Sequence, residues 1–88
     1  MTTATIKKLF KAFETAEAES DRLEAAWEKE PENETLEAAW DQQYKKLYKA
    51  QQKLEEAITE FSGIDQETVH TMVGRYRDRL KDLINRAA

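Results

Sequence analysis

The stretch Leu23-Glu24-Ala25-Ala26-Trp27 occurs again as Leu36-Glu37-Ala38-Ala39-Trp40, and Pro31, the only proline of the chain, lies between the two copies. Proline has no amide hydrogen and disfavours the α conformation in the residue before it, so a helix that carries the first copy ends near Glu30. A second helix with the second copy then folds back beside the first. We therefore predict a long antiparallel helical hairpin.

Two helical stripes of side chains support the hairpin. Apolar and small residues recur at alternating steps of three and four in the first arm, which keeps one face of a helix toward a partner, as in a coiled coil. These residues are Ile6, Leu9, Phe13, Ala16, Ser20, Leu23 and Trp27. The second arm has a broader stripe, typical of a helix that is covered on a wide face. It consists of Leu36, Trp40, Tyr44, Leu47, Gln51, Leu54, Ile58 and Phe61. We expect helix 1 over about residues 4–29 and helix 2 over about residues 34–61, with Trp27 opposite Leu36 and Leu23 opposite Trp40.

A third helix is expected to cover the second arm. Gly63 can adopt the left-handed conformation that ends a helix, and the carboxylate of Asp65 can accept a hydrogen bond from the amide of Glu67 or Thr68 at the start of the next one. Helix 3 then runs over about residues 66–86, with these side chains inward: Val69, Val73, Tyr76, Leu80, Leu83 and Ala87. Within it, Gly74 predicts a close backbone approach or a bend. The predicted fold class is all-α, a three-helix bundle formed by one domain over residues 1–88.

The third helix is shorter than the arms, which predicts a projecting end of the hairpin. A helix of about 20 residues spans about 30 Å, whereas an arm of about 27 residues spans about 40 Å. If helix 3 runs back along the second arm, its end near Ala87 reaches the level of Trp40, and Trp27 and Leu36 extend beyond it. We expect most of the other aromatic rings in the core, with the tyrosine hydroxyl groups at its rim.

The net charge of -4 hides an uneven distribution along the chain. Between residues 14 and 41, eleven carboxylates stand against two cations, a balance of -9, so the rest of the chain carries +5. The carboxylates are Glu14, Glu17, Glu19, Asp21, Glu24, Glu28, Glu30, Glu32, Glu34, Glu37 and Asp41, and the cations are Arg22 and Lys29. Solvated helix faces rich in Glu and Lys are common, because both residues favour helices. The alternative is an acidic surface that attracts a basic partner.

The composition argues against several other classes of protein. The chain has no cysteine, so it holds no disulfide framework and no thiolate zinc site, and a reducing compartment is the natural reading. No run of residues approaches the roughly 18 apolar residues of a membrane span. Lys7, Lys8 and Lys11 interrupt the segment where a signal peptide needs an apolar stretch. We therefore expect a cytoplasmic protein without membrane contact.

The chain offers little catalytic or metal-binding chemistry. Glu67 and His70 have the Glu-x-x-His spacing of di-metal helical bundles, but His70 is the only histidine and no carboxylate occupies an inward position of the first helix. No acid and base pair, and no nucleophile with a base, can be assembled from the predicted faces. We expect no enzyme activity, no metal and no cofactor.

A basic cluster on the third helix raises the question of nucleic acid. It consists of Arg75, Arg77, Arg79, Lys81 and Arg86. Asp78 and Asp82 lie within the cluster, and Asp65 and Glu67 make the helix nearly neutral. We therefore do not expect direct binding to nucleic acid.

The leading hypothesis from the sequence is a protein-binding module that acts without catalysis. Its most concrete form is a small acidic inhibitor or modulator, of the type that phages and other mobile elements encode, which covers a basic surface of a nucleic-acid-handling protein. The residues expected to bind the partner are Glu24, Trp27, Glu28, Glu34, Leu36 and Glu37. The alternatives are a structural helical homodimer or scaffold and, third, a nucleic-acid binder that uses helix 3.

Overall fold

The computed structural model describes residues 3–86, which form four helices joined by short connections, with no strand among the described residues. The helices are α1 (Thr3–Lys29), α2 (Glu34–Ser62), α3 (Gln66–Arg75) and α4 (Arg77–Arg86). The predicted all-α class is confirmed, and the predicted bounds of the first two helices agree with α1 and α2 to within one residue. Within residues 3–86, no helix combines the length and apolar character that a membrane span requires.

The turn of the hairpin is closed by local hydrogen bonds. The amide of Glu30 donates to the carbonyl of Trp27 at 3.0 Å, and the amide of Asn33 donates to the carbonyl of Glu30 at 3.0 Å. Asn33 then caps α2, since its Oδ1 accepts from the amides of Thr35 at 3.1 Å and Leu36 at 3.2 Å. The cap satisfies amides that have no partner within the helix, so α2 begins where the sequence predicts.

The connection between α2 and α3 follows the predicted chemistry. Gly63 has a φ of 74°, in the left-handed region, and its amide donates to the carbonyl of Thr59 at 2.9 Å. Asp65 caps α3, since its Oδ1 accepts from the amide of Thr68 at 2.8 Å and its Oδ2 accepts from the hydroxyl of Thr68 at 2.8 Å. These hydrogen bonds favour the carboxylate, so they hold the pKa of Asp65 below its ordinary value.

The predicted third helix is two helices, because the chain breaks at Tyr76. Tyr76 has φ -125° and ψ 48°, outside the helical region. The carbonyl of Val73 would accept from the amide of Arg77 in an unbroken helix. Here it accepts from the guanidinium of Arg77, from Nε at 3.2 Å and Nη2 at 3.0 Å, so the side chain stabilises the break.

Gly74 lies two residues before the break, which agrees with the second of its two expected roles, a bend. A Cβ atom at Gly74 would meet nothing within 4 Å in the described residues, so the other expected role, a close backbone approach, is not seen within the chain. Glycine is less favourable than alanine in a helix by about 1 kcal/mol, which weakens the segment just before Tyr76. The expected inward position of Ala87 lies outside the described residues.

The break redirects the chain from one arm of the hairpin to the other. α3 packs on α2, whereas α4 packs on α1. Along α4, Arg77 contacts Glu17 and Lys81 contacts Glu14, so α4 runs antiparallel to α1 and away from the interhelical turn. The expectation that the third helical segment reaches Trp40 is therefore wrong.

The buried apolar core lies at the end of the hairpin that α3 and α4 cover. It consists of Ile6, Phe10, Phe13, Leu54, Ala57, Ile58, Val69, Val73, Leu80 and Ile84. We call this part the base, comprising residues 3–20 and 42–62 of the hairpin together with α3 and α4. We call residues 21–41 the tip. Among the described residues, the tip contributes no side chain to the buried core, and the ion pair with α4 nearest the turn is at Glu17.

Candidate partner-binding site at the hairpin tip

The two tryptophans of the chain stack on each other in the tip. The ring centroids of Trp27 and Trp40 lie 5.4 Å apart with an angle of 23° between the ring planes. The stack joins two residues that the simple register places about one turn apart in level, because side chains lean toward the N-terminus of their own helix and the rings of two antiparallel arms therefore lean toward each other. Both rings are half-buried. The Nε1 atom of Trp27 is buried and, within the described residues, finds no hydrogen-bond partner.

All the residues predicted to bind a partner lie in the tip. Four of them are exposed glutamates on the two arms: Glu24, Glu28, Glu34 and Glu37. The other two, Trp27 and Leu36, are half-buried. The hairpin therefore brings the predicted set to one end of the molecule, although it keeps part of the apolar surface for the contact between the arms.

The charges of the tip are less neutralised than those of the base. In residues 3–86, six glutamates of the tip make no ion pair: Glu24, Glu28, Glu30, Glu32, Glu34 and Glu37. Of the two cations in the same stretch, Arg22 is bound to Glu19, and its hydrogen bonds lower the pKa of that carboxyl group. Glu14 and Glu17 belong to the base, since α4 pairs with both. Of the eleven carboxylates counted in the sequence, those without an ion pair in residues 3–86 therefore all lie in the tip.

Folding stability does not account for all of these charges. Glu34 and Glu37 lie in the first turn of α2, where the positive end of the helix dipole favours a carboxylate. Glu28 lies in the last turn of α1, where the dipole disfavours one, and Glu24 is one turn before it, so the two carboxylates repel. The charges at the end of α1 therefore lower stability.

One side of α2 forms an open groove that begins in the tip and extends to Tyr44, in the first turn of the base. The groove has a volume of about 610 Å³ and is lined by Glu34, Glu37, Ala38, Trp40, Asp41 and Tyr44. Tyr44 is 57% exposed and Tyr48, one turn further, is 55% exposed, so the prediction of inward tyrosine rings is wrong. The physical reason is that α3 has only ten residues and meets α2 farther along, near Glu55. Phe61 and Tyr76 are also exposed, at 39% and 50%.

The structure brings together one pair of residues that the sequence analysis missed. Glu55 is buried in the base, and its Oε1 lies 2.7 Å from Nδ1 of His70. A carboxylate only accepts, so this nitrogen carries the proton and donates. The pair joins α2 to α3. The sequence contained a signal for it, because Glu55 lies one turn after Gln51 and next to Leu54, and both of those residues belong to the predicted inward stripe of the second arm.

The remaining candidate chemistry is dispersed. Within the described residues, no group of three or more His, Cys, Asp or Glu side chains is close enough to hold a metal ion. In the basic cluster, Arg77 and Lys81 are bound to α1 and Arg86 pairs with Asp82 at 3.0 Å. Arg75 and Arg79 remain on opposite sides of the break at Tyr76, so the cluster is not one continuous basic face.

Comparison with known proteins gives no further guide to function. No protein-family model matches the chain, and neither the curated proteins nor the solved structures gave a significant match. The function proposed below therefore follows from the chemistry of the described residues.

Proposed function

We propose that the protein is a non-catalytic binding module whose tip docks on a basic surface of a protein partner. The observation that carries the proposal is the set of six tip glutamates that make no ion pair within residues 3–86 and lie beyond the ion pairs of α4 with α1. Like charges that are exposed on a projecting end create a field that attracts an oppositely charged surface and speeds association.

The tip also offers apolar contact area next to its charges. Trp27, Leu36 and Trp40 are half-buried and lie outside the core that α3 and α4 help to form in the described residues. Tryptophan is frequent among the residues that contribute most to the affinity of protein interfaces. In this proposal the glutamates govern the rate of encounter, and the apolar side chains between them contribute to the lifetime of the complex.

The most specific form of the proposal concerns the type of partner. Proteins that handle nucleic acids carry basic surfaces that bind phosphates, and an acidic helical tip is complementary to such a surface. A small inhibitor or modulator of this kind, as phages and other mobile elements encode, would compete with nucleic acid for that surface. Its location would then be cytoplasmic, together with its partner.

Charge reversal at the tip tests the proposal. Changing Glu24, Glu28, Glu34 and Glu37 to lysine is expected to slow association with the partner by about tenfold or more and to remove most of its salt dependence. Partners are captured in parallel with native protein and with this variant, at low salt and at about 0.5 M salt, where surface charges are screened. Association of each purified candidate is then measured by stopped flow or surface plasmon resonance.

A matched control keeps the change in net charge and moves it to the base. The control variant changes Glu56, Glu60, Glu67 and Asp78 to lysine; all four residues are exposed and make no ion pair in the described part of the chain. It is expected to bind as fast as the native protein. If the two variants bind equally well, the tip is not the site and the proposal is wrong.

One observation favours a second candidate, the structural homodimer. Tyr44 and Tyr48 lie one turn apart on α2 and are both more than half exposed, which is unusual for large aromatic side chains on one face. Sedimentation velocity over a hundredfold range of concentration tests it. A dimer that Tyr44→Ser and Tyr48→Ser together dissolve would support this alternative, whereas a monomer at all concentrations would contradict it.

A further inference from the structure

The base contains a binding arrangement for a cation that can be compared with the tip. The guanidinium of Arg77 lies 5.1 Å from the ring centroid of Phe13, within the range of a cation–π interaction. Its Nη2 also donates to Oε2 of Glu17 at 2.8 Å, and a second hydrogen bond joins Nη1 to the same carboxylate. Phe13 and Glu17 are one turn apart on α1, so one ring and one carboxylate together hold the cation.

The same arrangement occurs once more along α4. The ammonium group of Lys81 lies 5.9 Å from the ring centroid of Phe10 and 3.5 Å from Oε2 of Glu14. Phe10 and Glu14 are again one turn apart on α1. Arg77 and Lys81 are themselves one turn apart on α4, so a helix with two cations at this spacing occupies two ring-and-carboxylate sites on its neighbour.

The groove on α2 also has two pairs of a ring and a carboxylate one turn apart, in the reverse order along the helix, and neither α3 nor α4 contributes to its lining. On α2, Glu37 lies one turn before Trp40, and Asp41 lies one turn before Tyr44; all four residues line the groove. In the described part of the chain, no cation lies over either ring. Lys45 pairs with Asp41 at 3.3 Å, but both side chains are more than half exposed, so the pair is weak and exchangeable.

We propose that this groove binds a helical segment of another protein that carries two Lys or Arg side chains one turn apart. The proposal rests on the proposed function and names the feature of the partner that the tip recognises. One cation would lie over Trp40 beside Glu37, and the other over Tyr44 beside Asp41. Trp40 and Tyr44 are separated by about 6 Å along α2, which matches the rise between residues one turn apart on a helix.

The chain's own basic residues are the competing occupants. Arg77 and Lys81 are already bound to α1, and Arg75 and Arg79 are separated by the break at Tyr76. Lys49 and Lys53 have the required spacing on α2, so a second copy of this chain is a competing occupant of the groove. The experiment below distinguishes this occupant from a helix of another protein.

Two peptides of identical composition provide the test. Each is an alanine-based helix of about 18 residues with two arginines, placed one turn apart in the first peptide and two positions apart, on different faces, in the second. Each is added to the full-length, nitrogen-15-labelled protein, and the indole N–H resonances of Trp40 and Trp27 are followed by NMR. We expect the first peptide to shift the resonance of Trp40 with a dissociation constant near or below about 1 mM and the second to bind about threefold or more weakly.

Substitutions on two neighbouring turns of α2 distinguish the contribution of the Tyr44 ring to peptide affinity from the electrostatic attraction between the acidic tip and a basic peptide. Tyr44→Leu keeps an apolar side chain but removes the ring from the groove. We expect it to lower the affinity for the first peptide about threefold. Tyr48→Leu is the matched control, equally exposed and outside the groove lining, and should leave the affinity unchanged.

Each other outcome overturns the inference in a recognisable way. Equal binding of both peptides, unaffected by Tyr44→Leu but lost on reversal of the tip glutamates, would leave the proposed function intact and reject the paired-cation groove. No shift of Trp40 with either peptide would reject the groove, and the proposed function would then be judged by partner capture. A shift of Trp40 on concentrating the protein by itself, abolished by Lys49→Glu with Lys53→Glu, would identify a second copy as the occupant.

Discussion

The base and the tip are built on the same two helices but differ in how their polar groups are used. In the base, carboxylates of α1 are matched by Arg77 and Lys81, and the apolar side chains beneath them are fully buried. In the tip, six glutamates have no ion pair in the described residues, and the two tryptophans are half-buried and stack on each other. The difference indicates that the base stabilises the fold, while the tip leaves its surface available.

One residue of α4 contacts both α1 and α3 at the boundary between the covered and the uncovered part of the hairpin. Arg77 binds Glu17, lies over Phe13 and caps the carbonyl of Val73 at the end of α3. Its hydrogen bonds to Glu17 raise the pKa of the guanidinium above its ordinary value, so it stays charged at any pH at which the protein is folded. Arg77 therefore links the end of α3 to the side of α1 at the level where the covered part of the hairpin stops.

The largest expected effect compares a leucine of the base with a leucine of the tip. Leu54 is fully buried, so Leu54→Ala should lower the free energy of unfolding by about 3 to 5 kcal/mol. Leu36 is half-buried, so Leu36→Ala should lower it by about 1 to 2 kcal/mol. Urea midpoints at low protein concentration measure both. Equal losses would show that the tip is as well packed as the base and would remove the distinction.

The next effect tests the role of Arg77. Arg77→Met keeps the stem of the side chain but leaves Glu17 and the carbonyl of Val73 without a partner, so we expect a loss of about 2 to 3 kcal/mol. Arg79→Met is the control and should change stability by no more than about 1 kcal/mol, because Arg79 is exposed and, within residues 3–86, its guanidinium lies only over the exposed ring of Tyr76. Hydrogen exchange should show α3 and α4 losing protection first. If the two variants have the same stability, Arg77 does not hold α4 on the hairpin.

Much of the fold could be predicted from local signals in the sequence. Pro31 and the repeated pentapeptide identify the hairpin, and Gly63 and Asp65 each act on the backbone within one turn of their own position. Gly74 indicated a bend as one alternative, but the complete break at Tyr76 could not be predicted, because it involves a guanidinium that bonds both to its own helix and to a residue sixty positions away. Periodicity continues through the break, since Val73 and Leu80 are buried on either side of it.

The sequence predicted where the candidate site lies in the chain, but not which of its side chains are unpaired or exposed. The charge count identified the tip, yet it included Glu14 and Glu17, which α4 neutralises. The exposed tyrosines were missed because helical spacing says that residues share a face and does not say whether another helix covers that face. Tyr44 lies on such a face at a level that α3 does not reach.

A third test uses pH to report on the base. The hydrogen bonds from Thr68 hold the pKa of Asp65 below its ordinary value, so the ionised cap stabilises the fold above the ordinary pKa of an aspartate. That contribution is lost as the pH falls through the lowered pKa of the folded state. Asp65→Asn keeps a capping side chain without a titrating group. We expect the stability difference between native protein and variant to shrink on acidification, and a difference independent of pH would contradict the role of the carboxylate.

The smallest effect distinguishes the two helix ends within the tip. Glu28 lies in the last turn of α1 and Glu34 in the first turn of α2, so Glu28→Gln removes an unfavourable interaction with a helix dipole and Glu34→Gln removes a favourable one. We expect Glu28→Gln to raise the free energy of unfolding and Glu34→Gln to lower it, each by about 0.3 to 1 kcal/mol at low salt, with both effects shrinking as salt is added. The substitutions are identical and both side chains are exposed, so only the helix end differs. Stabilisation by both would mean that repulsion among the tip glutamates exceeds the dipole effect. Loss of stability with Glu28→Gln would mean that this glutamate stabilises the fold after all, and its presence at the end of α1 would no longer need a partner to explain it.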